Sequence, residues 1–211
     1  LADEPDGAVA AAEVSYQVLA TLDPIVTIPS AGLRAAIAAA LGIASTTSVD
    51  GTTVHGDFRA SQLASLVSLN ASNRGINDLS GIELLVNLRS LDLSTNALDA
   101  TDLAALAPRV LATGPVAGTQ VGLRTLQVLN LAGNPAINDI ASVSGLVNLS
   151  ELYLSGTGMA AYSQATEDTL GQLKQLTKLT WPSSLLVGTP DLAFAQGEAA
   201  SIPVTLGNGT A

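Results

Sequence analysis

A pattern of regularly spaced leucines returns along this 211-residue chain and constrains its fold more than any other feature. Its copies start at Leu66, Leu88, Leu126 and Leu149, with a degenerate copy at Leu176. The best-formed copies read LRSLDLSTNAL over 88–98 and LQVLNLAGNPAI over 126–137. Self-similarity of this kind predicts small structural units that stack on one another, because one such unit cannot bury its own apolar face.

The best-formed copies follow the pattern L-x-x-L-x-L-x-x-N, whereas the first copy has Arg74 and the fourth has Thr157 at the position of the Asn. Side chains alternate between the two faces of a strand, so the leucines of a copy point to the core and the residues between them point outward. In the second copy the inward residues are Leu88, Leu91 and Leu93, and the outward residues are Ser90, Asp92 and Ser94. Asn96 follows the strand, and Asn134 has the same place in the next copy. Both are predicted to turn inward and bond backbone groups that would otherwise stay unpaired.

This is the pattern of a leucine-rich repeat, and it predicts an α/β fold: a right-handed solenoid whose parallel strands line a concave face. The copies start 22, 38, 23 and 27 residues apart. The shortest spacing leaves room for one strand and a tight turn, so the longer spacings mark insertions. The main insertion, at 99–123, is predicted to hold a helix as far as Leu111 and then a Gly/Pro loop at 114–118. A shorter insertion is predicted to be helical from Thr166 to Leu173.

The repeats are predicted to span residues 63–187, between two segments of different pattern. Residues 1–62 read as an N-terminal extension and a helical cap, in which Ser30 begins a helix and Gly42 ends it. Residues 188–211 alternate apolar and other residues on both sides of a turn, which predicts a short β segment that could open an Ig-like domain. Trp181 takes the place of the last leucine in the degenerate copy, where it is predicted to plug the open end of the stack.

Three smaller elements are predicted inside the N-terminal segment. Apolar residues at every fourth position favour a helix over Val14–Leu22, and a strand is expected over Ile25–Ile28. A second short strand is expected over Val54–Phe58. A turn of helix is then expected to begin at Ser61.

Composition excludes several classes of function. The net charge is −10 and the pI is near 4.2, which argues against nucleic-acid or anionic-membrane partners. The chain has no cysteine, so it can form no disulfide and no cysteine-based metal site. Its sequence holds no apolar run long enough to insert into a membrane. No cofactor is predicted.

The outward residues of the strands are the predicted partner-binding surface. The candidates are Asp92, Asn130, Glu151, Tyr153 and Lys178. Tyr153 is the one aromatic residue on this face, and aromatic residues are enriched in binding hot spots. The alternative is that the face is solvated strand surface with no partner, since small polar residues make weak hot spots.

No residue combination predicts catalysis. His55 and Asp57 could share one side of a short strand, but a general base needs a third group and a pocket, and an exposed cap strand is the simpler interpretation. Asn138 and Asp139 lack the spacing of a calcium loop, so turn capping is the better interpretation. Asp99 and Asp102 are predicted to start a helix in the same way. We therefore expect that the chain is not an enzyme and binds no metal ion.

Two longer segments resemble a known family. IVTIPSAGLRAAIAAALG (25–42), followed by LASLVSLNASNRGINDLSGIELLVNLRSLDLSTN (63–96), is similar to the leucine-rich-repeat domains of bacterial surface proteins of the internalin type. In that family a helical cap precedes 22-residue repeats, and the linker G-I-x-x-L-x-G-I-x-x-L-x-N-L is matched here between Gly75 and Leu88. The resemblance covers roughly residues 25–182.

The resemblance implies an exported or surface-attached protein that binds other proteins, sometimes glycans, on the concave face. It also implies an Ig-like domain after the repeats. The predicted function is a non-enzymatic protein-binding or adhesion module, extracellular or at the bacterial cell surface. A structural spacer in a longer surface protein and a glycan-binding module are the alternatives.

Overall fold

The computed structural model describes residues 23–43, 57–112, 117–159 and 163–182, together with the backbone of 204–206. Its central feature is a six-stranded sheet in which every neighbouring pair of strands is parallel. Its strands are β3 (Ser68–Asn70), β4 (Ser90–Asp92), β7 (Val128–Asn130), β8 (Glu151–Tyr153), β9 (Lys178–Trp181) and β10 (Val204–Leu206). They lie side by side in chain order: each of the five repeats contributes one strand that hydrogen-bonds the next, and β10 adds a sixth strand from the segment after the repeats.

The register of the sheet aligns the repeats. The aligned inward leucines are Leu69, Leu91, Leu129, Leu152 and Leu179. All five are buried, at 2% exposure or less. Because the period along a strand is two, this alignment also brings the outward residues of every strand into straight rows across the sheet.

The chain returns from one strand to the next through helical turns on the other side of the core. Three are 3₁₀ helices, Ile82–Leu84, Asp102–Leu106 and Ala141–Val143, and one is the α-helix α3, Gln164–Gln172. The helix predicted at 166–173 is therefore present. Ser163 begins it by accepting a hydrogen bond from the Thr166 amide.

The N-terminal cap covers the first repeat. Strand β1 (Ile25–Thr27) pairs antiparallel with β2 (Asp57–Arg59), and helix α1 (Ala31–Leu41) packs against β3. Ser30 caps α1 through the Leu33 amide, and Gly42 ends it with a left-handed φ of 67°, as the sequence predicted. Buried Leu33 and Ile37 close the end of the core.

The short helix α2 (Ala60–Ser65) begins one residue before the predicted start. Its first turn is fixed by Asp23, whose carboxylate accepts hydrogen bonds from the Ser61 amide at 2.8 Å and the Ser61 hydroxyl at 2.5 Å. The hydroxyl bond and then the amide bond lower the pKa of Asp23. The predicted Val14–Leu22 helix, His55 and the strand over 54–56 lie outside the described residues.

The helix predicted through Leu111 in the main insertion is wrong. A 3₁₀ helix ends at Leu106, and a two-stranded antiparallel hairpin follows, with β5 (Arg109–Val110) paired to β6 (Gln120–Val121). Pro108 explains the break, because the residue before a proline is pushed to extended backbone and Ala107 has φ −67° and ψ 137°. Of the predicted loop at 114–118, residues 117 and 118 are described.

At the other end, Trp181 lies in the core at 7% exposure. The backbone of β10 pairs in parallel with β9, with Val204 opposite Leu179 and Leu206 opposite Trp181. A strand thus forms where the alternating pattern predicted one, and it extends the sheet of the repeats. That 188–211 also opens a separate Ig-like domain stays a prediction.

Two helical glycines give a matched test of how tightly the cap is seated. A Cβ on Gly32 would lie 2.3 Å from the Arg74 carbonyl oxygen, whereas a Cβ on Gly171 in α3 would meet nothing within 4 Å. We expect Gly32→Ala to cost about 1–3 kcal/mol because α1 must move away from the first repeat. Gly171→Ala should be neutral or stabilise by up to about 1 kcal/mol. Urea unfolding of both variants checks this, and equal effects would contradict a close approach at Gly32.

Candidate functional site

Asn96 lies between two repeats and bonds the backbone of both. Its Oδ1 accepts hydrogen bonds from the Arg74 and Ile76 amides of the previous repeat, both at 3.0 Å. Its Nδ2 donates to the carbonyls of Ala71 at 2.9 Å and Leu93 at 2.8 Å. The side chain is 9% exposed, so these bonds satisfy backbone groups that water reaches poorly.

Asn134 repeats this arrangement one layer further on and is fully buried. Its Oδ1 accepts from the Leu98 amide, and its Nδ2 donates to the carbonyls of Leu93 and Leu131. In the following layer the position is held by Thr157, whose hydroxyl donates to the Leu154 carbonyl at 2.8 Å. This hydroxyl bond lies within one repeat, so Asn96 and Asn134 are the side chains shown to bond the backbone of two repeats, and we call these two the ladder asparagines.

We expect Asn134→Ala to destabilise the chain by about 1–3 kcal/mol, since it strands buried backbone groups. Exposed Asn138 offers a matched control in the same repeat, and Asn138→Ala should leave the urea midpoint almost unchanged. An unchanged midpoint for Asn134→Ala would remove the structural role predicted for this residue.

The outward residues of β3, β4, β7, β8 and β9 form the surface that we call the strand face. One row across it consists of Ser68, Ser90, Val128, Glu151 and Lys178. The next row consists of Asn70, Asp92, Asn130, Tyr153 and Thr180. All five predicted partner-binding residues thus lie in two adjacent rows. Asp92 and Tyr153 are two strands apart, about 10 Å at the usual strand spacing.

Three of the predicted residues form one cluster at the C-terminal half of the face. The Tyr153 hydroxyl donates to Glu151 Oε2, and the Lys178 Nζ lies 3.7 Å from the same oxygen. The Lys178 Nζ is also 4.9 Å from the centre of the Tyr153 ring, within the range of a cation–π contact. Hydrogen bonding to Tyr153, and less strongly the Glu151 carboxylate, raise the pKa of Lys178.

Asp92 and Asn130 have a structural use as well. Asp92 Oδ1 accepts from the amide and hydroxyl of Ser94, and Asn130 Oδ1 accepts from the Ala132 amide. Asn70 does the same for Ser72. Each side chain therefore turns the backbone at the end of its strand. Tyr153 departs from this row pattern by bonding Glu151, which sets the cluster apart from the rest of the face.

A cleft that the sequence did not predict lies on the side of the core opposite the strand face. It has a volume of about 410 Å³. Its lining includes Asp78, Glu83, Thr101, Asp102 and Arg109. Arg109 pairs with Glu83 at 3.2 Å and donates to the Ala104 carbonyl at the end of the 3₁₀ helix. Most of its lining comes from residues in and around the 3₁₀ helices 82–84 and 102–106, and the hairpin contributes Arg109. The extra length of this repeat was the one signal of the cleft in the sequence.

The other acidic candidates act as turn caps. Asp99 Oδ1 accepts from the Thr101 amide at 2.7 Å and hydroxyl at 2.6 Å, and Asp102 Oδ2 accepts from the Asp99 amide at 2.9 Å. Asp139 Oδ1 accepts from the Ala141 amide. Asp57 differs from these, because its Oδ1 accepts from the Thr27 hydroxyl and so joins β1 to β2.

Within the described ranges, no group of three or more His, Cys, Asp or Glu side chains is placed to hold a metal ion. In the same part of the chain, no helix is long and apolar enough to cross a membrane.

The pKa of Asp102 is raised, chiefly by burial and further by the nearby Asp99 and Asp78 carboxylates. A carboxyl whose pKa is higher in the folded chain than in the unfolded chain opposes folding once it is ionised. We therefore expect Asp102→Asn, which keeps an acceptor for the Asp99 amide, to raise the thermal midpoint at pH 7. The gain should vanish at pH 3, where the carboxyl is protonated in both states, and a gain that persists there would contradict the electrostatic cause.

This arrangement is that of a leucine-rich-repeat protein. No protein-family profile and no curated protein matches the chain. Solved structures do match. An internalin (InlF) from Listeria monocytogenes has a TM-score of 0.55 and 24% identity over 78% of this chain and 46% of its own. An internalin C2 (InlC2) from the same organism has a TM-score of 0.55 and 20% identity over 78% of this chain and 69% of its own.

These structural matches show the fold, and they confirm that the chain resembles internalins. The chain spans a little under half of the InlF chain.

Proposed function

We propose that this chain is a non-enzymatic protein-binding or adhesion module of an exported bacterial protein. Its repeats would form a right-handed curved solenoid, and its partner would dock on the concave strand face around Tyr153. The observation that carries the proposal is the alignment of five strands in register, which brings Asp92, Asn130 and Tyr153 into one row.

The physical support is the rigidity of this surface. The leucines beneath the strand face are buried, and the ladder asparagines fix the turns at its edge. A side chain that is held in place loses little conformational freedom when it is bound, so a pre-organised face lowers the cost of association. Outward residues can also vary without disturbing the core, which is what a binding surface needs.

Tyr153 is the expected anchor of the interface. Its ring is half-buried by the surrounding side chains, and its hydroxyl is bonded to Glu151. An aromatic residue with a polar tip supplies a large contact area and fixed polarity at once. Val128 lies in the same row as Glu151, on the neighbouring strand β7, and adds apolar surface beside it.

The test is adhesion of beads coated with the 211-residue chain to a panel of animal cell lines. We expect Tyr153→Ala to weaken binding about tenfold or more, the loss typical of a hot-spot aromatic residue. Deletion of residues 113–116 in the insertion should have no effect, and Asn138→Ala serves as a surface control. If the deletion abolishes binding while Tyr153→Ala does not, the partner docks on the insertion and the proposed face is wrong.

Enzymatic treatment of the cells separates this proposal from the two alternatives. Protease treatment should abolish adhesion and glycosidase treatment should leave it intact if the partner is a protein. The reverse result would favour a glycan-binding module. Adhesion no stronger than that of uncoated beads on every cell line would contradict a binding function and favour a structural spacer.

A further inference from the structure

The contacts within the cluster on the strand face follow the chemistry of cation recognition. The Lys178 ammonium lies against the Tyr153 ring and near the Glu151 carboxylate, and Tyr153 and Glu151 hold each other by a hydrogen bond. An aromatic face attracts a cation through its quadrupole, and a carboxylate beside it adds a charge-assisted hydrogen bond. Tyr153 and Glu151 therefore form two walls of a small site, and Lys178 is its occupant.

The occupant is attached loosely. Lys178 is on the neighbouring strand, directly opposite Glu151, and 46% of its side chain is exposed. Its flexible stem carries many rotamers, and exposed ion pairs of this kind are weak because solvent screens them. A competing cation can thus displace the Lys178 ammonium without any movement of the strands.

We propose that Tyr153 and Glu151 form a cation-binding site that Lys178 fills in the free chain and yields to an arginine side chain of the partner. This inference rests on the proposed function, because it names the chemistry by which the partner engages the strand face. The chain's net charge of −10 favours a basic partner. Asp92, two strands from Tyr153 in the same row, adds negative charge to the surface that this partner would contact.

Arginine fits the site better than lysine does. Its planar guanidinium can stack on the Tyr153 ring and bond both oxygens of the Glu151 carboxylate. The Lys178 ammonium lies over the ring and near one carboxylate oxygen, without flat stacking or a bidentate pair. The partner would therefore present an arginine in an exposed segment, with further basic residues around it.

The test uses the full ¹⁵N-labelled chain and N-acetyl-arginine amide as the probe, at low salt and pH 7. Backbone amide shifts of Glu151 and Tyr153 report binding at the site. Lys178→Met keeps most of the aliphatic stem and removes the competing charge. We expect it to bind the probe about two- to fivefold more tightly than the unmodified chain, the factor set by opening a site that a weak internal contact occupies.

A matched control separates the site from a general charge effect. Lys174→Met makes the same change in net charge at an exposed position outside the cluster, so it should leave probe affinity unchanged. Tyr153→Leu in the Lys178→Met background should abolish saturable binding, and neutral N-acetyl-norleucine amide should not bind. Equal gains for Lys174→Met and Lys178→Met, or saturation that survives Tyr153→Leu, would overturn the proposal.

The titration needs no partner protein, so its outcome is independent of the adhesion assay. Saturable probe binding without adhesion would support the cation site and overturn docking on this face. Adhesion that depends on Tyr153 without any probe binding would support docking and overturn the cation site.

Discussion

Everything in this structure depends on satisfying backbone groups where each strand ends and the chain turns into the core. A stack of thin layers has many such ends, and water does not reach the ones that lie between layers. Asn96 and Asn134 solve this by donating to carbonyls of two layers and accepting from amides of the previous layer. Leucine burial drives the layers together, and the asparagines make the contact between their backbones possible.

The residues just before Arg74, Asn96, Asn134 and Thr157 also help to pair the backbone where each strand ends. Asn73, Thr95, Gly133 and Gly156 all have left-handed φ angles, between 52° and 71°. In this conformation the Thr95 amide donates to the Ala132 carbonyl, and the Gly133 amide donates to the Ser155 carbonyl. Of these four residues, Thr95 carries the most backbone strain, because a β-branched residue is strained at positive φ. The turn therefore keeps one geometry although four different local sequences form it.

The repeat architecture separates stability from recognition. One side of each strand carries the leucines, and the other side carries residues that the core does not need. The insertion illustrates the same separation: its hairpin and the cleft beside it lie away from the strands, so β4 and β7 remain paired in register. Tyr153, Glu151 and Lys178 can meet on the strand face because register, and not sequence proximity, puts β8 beside β9.

The sequence alone determined the repeats, the positions of their leucines, the helical cap from Ser30 to Gly42 and the presence of a helix near 166–173, since each follows from local spacing or capping. It also placed the five candidate residues on one surface. Tertiary structure alone decided that Lys178 lies over Tyr153 and that Arg109 pairs with Glu83 beside a cleft. The prediction of a helix as far as Leu111 was wrong for a related reason. Pro108 ends the helical turn, and the hairpin that follows depends on pairing between residues about ten positions apart, which local spacing does not reveal. Local patterns encode elements, whereas contacts between layers depend on register, which is set when the layers pack.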